Sequence, residues 1–200
     1  MAKPIDFYID FSSPYAYLAA QQIEAIATRH GRTVNWQPML LGVVFKALDG
    51  KPLTEYPLKG DYSRRDFARS ARLAGLEFNM PDPFPINTVA AARALLWLKE
   101  HHPTRAGDFV RATGRAHFVE NRNVNDPNEL HRIATSLGLD GNALVDGQQE
   151  QSIKDEMRAA SEAALARGVF GAPFVFIDDE PFWGNDRLHQ IDRWLETGGF

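Results

Sequence analysis

The sequence predicts an α/β fold carrying one large all-helical insertion, and three observations predict it. A strand, helix, strand pattern opens the chain. From about residue 40 to residue 147 every clear pattern is helical, and helix, strand, strand, helix closes the chain. Two hundred residues, 44% hydrophobic and 24% charged, are enough to bury a sizeable core. The expected organisation is therefore one domain over 1–200, interrupted by the insertion at about 40–147.

The first strand is read from Ile5, Phe7, Ile9 and Phe11, which alternate with Asp6, Tyr8 and Asp10. Ser12, Ser13 and Pro14 interrupt it. Ala16, Ala19, Ala20, Ile23, Ile26 and Ala27 then recur at three- and four-residue steps, as the buried face of one helix ending near Gly31. Val34 and Trp36 mark a second strand within 33–37, so a right-handed parallel crossover is expected. In the insertion, 87–101 has an interior of Ala and Leu behind an Asn-Thr start. Segments 108–120 and 126–137 are further helices, the second opening on Asp-Pro. Segments 40–61 and 78–85 are rich in Gly and Pro and read as loops. Near the end, 152–167 is a helix stopped by Gly168. Phe174 to Ile177 is an apolar strand, Pro181 to Trp183 its antiparallel partner, and Leu188, Ile191, Trp194 and Leu195 define a last helix closed by Gly198 and Gly199.

Composition narrows the function classes. A net charge of -4 with no cluster of Lys and Arg argues against a nucleic-acid partner. No apolar run is long enough to span a membrane or to serve as a signal peptide, so a cytoplasmic protein is expected. The chain has no cysteine, which excludes disulfides, thiolate metal sites and a dithiol redox cycle of its own. The six histidines fall in no ligand spacing; His101 and His102, beside Pro103, read as polar helix-end residues.

Three segments carry chemistry. Ser13-Pro14 stands where the first strand feeds the first helix, with Pro14 suited to the first helical position and Ser13 to the cap. Capping alone would explain them. The free N–H groups of a helix start also favour an anion, and a thiolate is one. In a chain without cysteine the thiol must arrive on a ligand, and Ser13 would donate its hydroxyl hydrogen to it. Gly171-Ala172-Pro173 is either a strand-entry turn or a cis-proline loop that turns the Ala172 backbone toward a peptide-like ligand. Gly184-Asn185-Asp186-Arg187 opens the final helix, where Asn185 or Asp186 would serve as a cap or meet an ammonium group.

Together these segments resemble one family. Phe11-Ser12-Ser13-Pro14-Tyr15-Ala16 is similar to the thioredoxin-fold active-site turn, with Ser and Ala in place of its two cysteines. Val169-Phe170-Gly171-Ala172-Pro173 resembles the cis-proline loop, and the segment from Phe182 to Leu188 resembles the stretch that contacts glutathione. The set resembles the 2-hydroxychromene-2-carboxylate isomerases, relatives of kappa-class glutathione transferases and DsbA-like oxidoreductases, nearly end to end. The resemblance implies a thioredoxin-like fold with a large all-helical insertion.

It also implies glutathione as cofactor and a homodimer. Ser13 would hold and activate the glutathione thiol, Ala172 beside Pro173 would bind the cysteinyl main chain, and Asn185 and Asp186 would meet the γ-glutamyl end, with Gly184 beside them in the cofactor site. Lys59 would offer a cation to a carboxylate. One departure stands out: the kappa-type enzymes carry an Asn before a Lys-Pro pair, and here Gly50 precedes Lys51-Pro52. For the substrate, Tyr17, Phe170 and Trp183 are candidates for the ring, and Lys59, Arg64 and Arg65 for the carboxylate. The implied reaction is the interconversion of 2-hydroxychromene-2-carboxylate, or a polycyclic analogue, and trans-o-hydroxybenzylidenepyruvate in aromatic hydrocarbon catabolism. A kappa-like transferase or peroxidase and a non-catalytic glutathione-binding protein are the alternatives.

Overall fold

A computed structural model of the chain describes residues 2–200. Its strands β1 (Ile5–Ile9), β2 (Val34–Pro38), β3 (Phe174–Ile177) and β4 (Glu180–Trp183) form one sheet in the order β2-β1-β3-β4. β1 and β2 run parallel with Phe7 beside Trp36, while β3 is antiparallel to β1 and β4 to β3. All four residues of β3 are buried, which explains why that strand reads as a continuous apolar run and not an alternating one. The mixed sheet is the one expected of a thioredoxin-like fold.

The first helical pattern is two helices, α1 (Pro14–Ala20) and α2 (Ile23–Arg29), and not one. The break has a local cause. The Gln22 side-chain amide donates to the Leu18 carbonyl at 2.8 Å, taking the acceptor that the next turn would use. The apolar spacing survives the break, so one continuous helix was the natural expectation.

Segment 40–61 is not a loop throughout. It holds α3 (Leu41–Ala47), a 3-10 turn at Leu53–Glu55 and the start of α4 (Lys59–Leu73). The α3 start is capped from a distance: its Leu41 N–H donates to the Asp10 carboxylate, at the end of β1, at 2.7 Å. Nothing in the neighbouring residues signals that cap. The rest of the insertion is α5 (Val89–His101), α6 (Ala106–Phe118), α7 (Pro127–Ser136) and α8 (Gly141–Gly147). Asp126 caps α7 as its Asp-Pro start requires, accepting from the Asn128 N–H at 2.9 Å. Segment 78–85 has no helix or strand.

The chain returns through α9 (Gln151–Ala166) to β3 and β4 and ends in α10 (Leu188–Thr197), closed by Gly198 in the left-handed conformation. Asn185 and Asp186 do not cap α10. They lie in a 3-10 turn, Asn185–Arg187, that precedes it, and neither side chain bonds a helix N–H.

One apolar cluster joins Ile5, Phe7 and Ile9 of β1 to Leu95 and Leu98 of α5 and Phe109 of α6, all essentially inaccessible to solvent. Each such side chain contributes roughly 1.5–3 kcal/mol on burial. A smaller cluster of Tyr17, Leu18, Ala71 and Phe118 ties α1 to α4 and α6. These two clusters fix the turn at Ser13 against the insertion.

Candidate active site

Ser13 caps α1, its Oγ accepting from the Ala16 N–H at 3.2 Å. The same hydroxyl donates to the carbonyl of Ala172 at 2.7 Å. The serine is 6% exposed. The Ala172–Pro173 peptide is cis, and the Ala172 N–H makes no hydrogen bond among the described residues. The Pro173 carbonyl accepts from the Gly184 N–H at 3.1 Å, so the proline loop holds the third segment as well. The three segments singled out in the sequence thus meet at one place.

Asp10, 3% exposed, sets that turn. One carboxylate oxygen accepts from the Ser12 N–H and the Thr88 hydroxyl, each at 2.8 Å, and the other accepts from Leu41. Its own carbonyl accepts from the Ser13 N–H at 3.0 Å. A buried carboxylate needs such donors to offset its lost hydration. Here they come from the starts of α1, α3 and α5, which Asp10 pins together. Sequence reasoning missed this residue; the available signal was an acid closing a strand otherwise made of apolar and aromatic residues.

A cleft of about 830 Å³ opens beside Ser13. Lys59, Ala172 and Pro173 line it, as do Gly184, Asn185 and Asp186. Phe170 and Trp183 line it too, their rings edge to face at 4.9 Å and each about half exposed. Gly171 permits that pair: a Cβ there would lie 2.5 Å from the Trp183 indole nitrogen.

Tyr17 is not on the cleft. It faces the satellite core against Phe118, and its hydroxyl donates to the Glu77 carbonyl at 2.8 Å. Tyr15 takes the cleft position, donating to the Asp66 carboxylate at 2.6 Å. Burial, and then that carboxylate, push the Tyr15 hydroxyl's pKa well up. Desolvation acts against Asp66 ionising, but hydrogen bonds from Tyr15 and Arg69 outweigh it and hold its carboxyl below the usual range. Arg69 also donates to the Tyr62 hydroxyl at 3.0 Å.

Arg64 and Arg65 are likewise outside the cleft, on exposed parts of α4, where they remain solvated cations. Lys59, Tyr62, Asp66, Arg69 and Leu73 line it instead, at three- and four-residue steps along one face of α4. Lys51 and Arg187, also unselected from sequence, complete its cations. His101 stacks on Trp97 at the end of α5 with 4.3 Å between ring centroids, away from the cleft.

The family model described as "DSBA-like thioredoxin domain" matches residues 4–196. The chain is 32% identical over 197 residues to a 2-hydroxychromene-2-carboxylate isomerase of Sphingobium xenophagum, covering 98% of this chain and 99% of that protein. A solved 2-hydroxychromene-2-carboxylate isomerase superposes with a TM-score of 0.87 at 27% identity, covering 96% of this chain and 94% of the other. Glutathione S-transferase kappa 2 of Caenorhabditis elegans is 23% identical over 207 residues, 96% of this chain and 92% of its own length. A thioredoxin-like sheet, a serine-bearing turn facing a cis-proline loop, and matches over nearly the whole length have one reading: the chain belongs to the DSBA-like thioredoxin domain family, among relatives that include 2-hydroxychromene-2-carboxylate isomerases and kappa-class glutathione transferases.

Proposed function

We propose that the chain is a glutathione-dependent isomerase interconverting 2-hydroxychromene-2-carboxylate, or a polycyclic analogue, with trans-o-hydroxybenzylidenepyruvate. The observation that carries this reading is Ser13: a buried hydroxyl, not a thiol, at the strand-to-helix turn of a thioredoxin-like fold, opening on a cleft in a chain without cysteine. The full-length isomerase relatives support the choice of reaction.

The residues around Ser13 fit the tripeptide. The Ala172 N–H is free to donate to a main-chain carbonyl, Lys59 has no acidic partner among the described residues, and Asn185 and Asp186 lie on the cleft for an ammonium group. When bound, glutathione would supply an ionised thiol for reversible addition to the conjugated substrate, allowing ring opening and bond rotation, and cleavage of the same C–S bond would return the free thiol. Ser13 has one hydrogen to give. It goes to the Ala172 carbonyl when no better acceptor is near, and turning it to a sulfur anion favours the ionised form of the thiol. Tyr15 keeps its proton near neutral pH, so it donates to the Asp66 carboxylate and does not act as a base. Phe170 and Trp183 present their exposed rings to a flat substrate.

A cytoplasmic location and a homodimer belong to the same reading: the cytosol holds the reduced glutathione pool, and Leu58 leaves a large apolar side chain, outside the cleft, for a partner copy. Light scattering tests the dimer. The kappa-class relatives favour one second reading, a transferase or peroxidase that would consume glutathione. Calorimetry tests what both readings share. Glutathione should bind with a Kd from low micromolar to millimolar, a standard free energy of about -4 to -8 kcal/mol. No heat of binding at millimolar glutathione would contradict both.

A further inference from the structure

The segment following β2 walls the cleft with an apolar stripe that ends in two cations. Leu41, Val44 and Phe45 of α3, and Leu48 just after it, recur at three- and four-residue steps and all line the cleft. Leu48 is 58% exposed, a large apolar surface without cover at the cleft rim. The chain then turns at Gly50 and delivers Lys51, and α4 begins with Lys59. Both ammonium groups lie over the ring of Tyr56, at 4.9 and 5.5 Å from its centroid. Neither has a carboxylate partner among the described residues. Of the acids of the cleft, Asp66 is engaged with Tyr15 and Arg69, and Asp186 lies beside Arg187, at 3.5 Å, and pairs with neither lysine.

Two like charges sharing one ring without a counterion repel one another, and the ring offsets only part of that. The arrangement calls for anions. Glutathione, bound as proposed above, places a carboxylate at Lys59, and the following inference rests on that reading for the division between the two lysines. Lys51 is the cation at the end of the apolar stripe. We infer that Lys51 and the stripe Leu41, Val44, Phe45 and Leu48 form the substrate subsite: the stripe takes a fused aromatic ring and Lys51 its carboxylate. Within the substrate class already proposed, Lys51, and not Lys59, is then the residue that selects for a carboxylate. The open rim at Leu48 leaves room for fused rings beyond two. Because the charge is held at the end of the stripe, an aromatic acid fits the subsite and a neutral aromatic compound of the same shape lacks half of it.

The test uses 2-naphthoate, an unreactive fused-ring carboxylate, so that it is read by binding and not by turnover. Calorimetric titrations of the full chain with 2-naphthoate and, separately, with glutathione would compare wild type, Lys51→Gln, Lys59→Gln and Leu48→Ala. Lys51 and Leu48 are exposed, so these variants should fold. Lys51→Gln should weaken 2-naphthoate by about tenfold, as loss of a charge-assisted contact does, and leave glutathione within about twofold. Lys59→Gln should do the reverse, and Leu48→Ala should weaken 2-naphthoate several-fold. Where chromene acids turn over, Lys51→Gln should raise KM far more than it lowers kcat. Loss of glutathione affinity in Lys51→Gln with 2-naphthoate unchanged would overturn the inference and assign both lysines to the tripeptide. No effect on either ligand, or no binding of 2-naphthoate to wild type, would also overturn it. Failure of the isomerase reading appears separately, as absent turnover of any chromene acid.

Discussion

The Ser13 hydroxyl donates its hydrogen to the carbonyl of Ala172, a residue 159 positions away, at 2.7 Å. This one contact joins the turn at the start of α1 to the proline loop before β3. If Ser13 binds a sulfur anion as proposed, the Ala172 carbonyl is the acceptor that anion displaces.

Ser13→Ala removes both the cap and that link. Loss of the cap should cost about 1 kcal/mol, and loss of the second hydrogen bond up to about 1 more. If Ser13 also holds an anion, turnover should fall by about 100-fold or more. Denaturant titration and steady-state kinetics on the same preparation separate the two effects. A variant that is less stable but kinetically normal would reduce Ser13 to a cap.

Asp10→Asn should disturb three helix starts at once. The carboxylate accepts from Ser12, Leu41 and Thr88, and an amide presents an NH2 group to donors. A stability loss of about 1–3 kcal/mol is expected. Because the Ser13 turn hangs on the same residue, kcat should fall about tenfold or more. A lowered urea midpoint with unchanged kcat would mean that Asp10 supports the fold without positioning the serine.

Those two residues illustrate what sequence reading reached. The four strands and helices α5, α6, α7, α9 and α10 were legible because their signals are local: apolar alternation in β1, the apolar run of β3, the Ala and Leu interior of α5, and the three- and four-residue steps of α10; α4, though long, was not legible as a helix. Ser13, Ala172, Asn185 and Asp186 were legible as motifs, and the fold brings them together. α3 was not legible because its cap comes from Asp10, far earlier in the chain, and because Gly and Pro dominate its surroundings. Tyr17 was misplaced because a residue four positions after the cap looks as close to Ser13 as Tyr15 does. Packing against Phe118 turns Tyr17 to the core. The cleft face of α4 was within reach. Steps of three and four from Lys59 give Tyr62, Asp66 and Arg69, whereas the pairing of Arg64 with Arg65 drew attention to the wrong face.

His117, almost fully buried on α6, predicts a pH dependence of stability. Its Nδ1 lies 3.3 Å from the Arg122 carbonyl and its Nε2 has no partner. Burial pushes its pKa down to about 4. An unfolded His titrates near pH 6.5, so as pH falls from there toward 4 the unfolded state takes up the proton and the folded state does not. Stability should therefore decrease over that window, by roughly 3 kcal/mol in full. Above pH 6.5 both states hold the neutral ring and the effect vanishes. Urea midpoints at pH 7 and pH 5 check this, and His117→Gln should flatten the difference. An equal slope in the variant would assign the loss to other groups.

Gly171→Ala should move Trp183, because the new Cβ would meet the indole nitrogen at 2.5 Å. Since Trp183 is half exposed it can swing away, so stability should change by less than about 1 kcal/mol. Separation from Phe170 should change the tryptophan emission and raise KM for an aromatic substrate several-fold. Unchanged emission and KM would place the ring pair outside the substrate's path.

The central claim is that a borrowed thiol is returned after each turnover. The direct measurement follows the absorbance of 2-hydroxychromene-2-carboxylate while total glutathione is held far below substrate, then counts the free tripeptide at the end. The account predicts many turnovers per glutathione, full recovery of the free thiol, and no reaction without it. Loss of one glutathione per substrate converted, or conversion at the same rate in its absence, would contradict it.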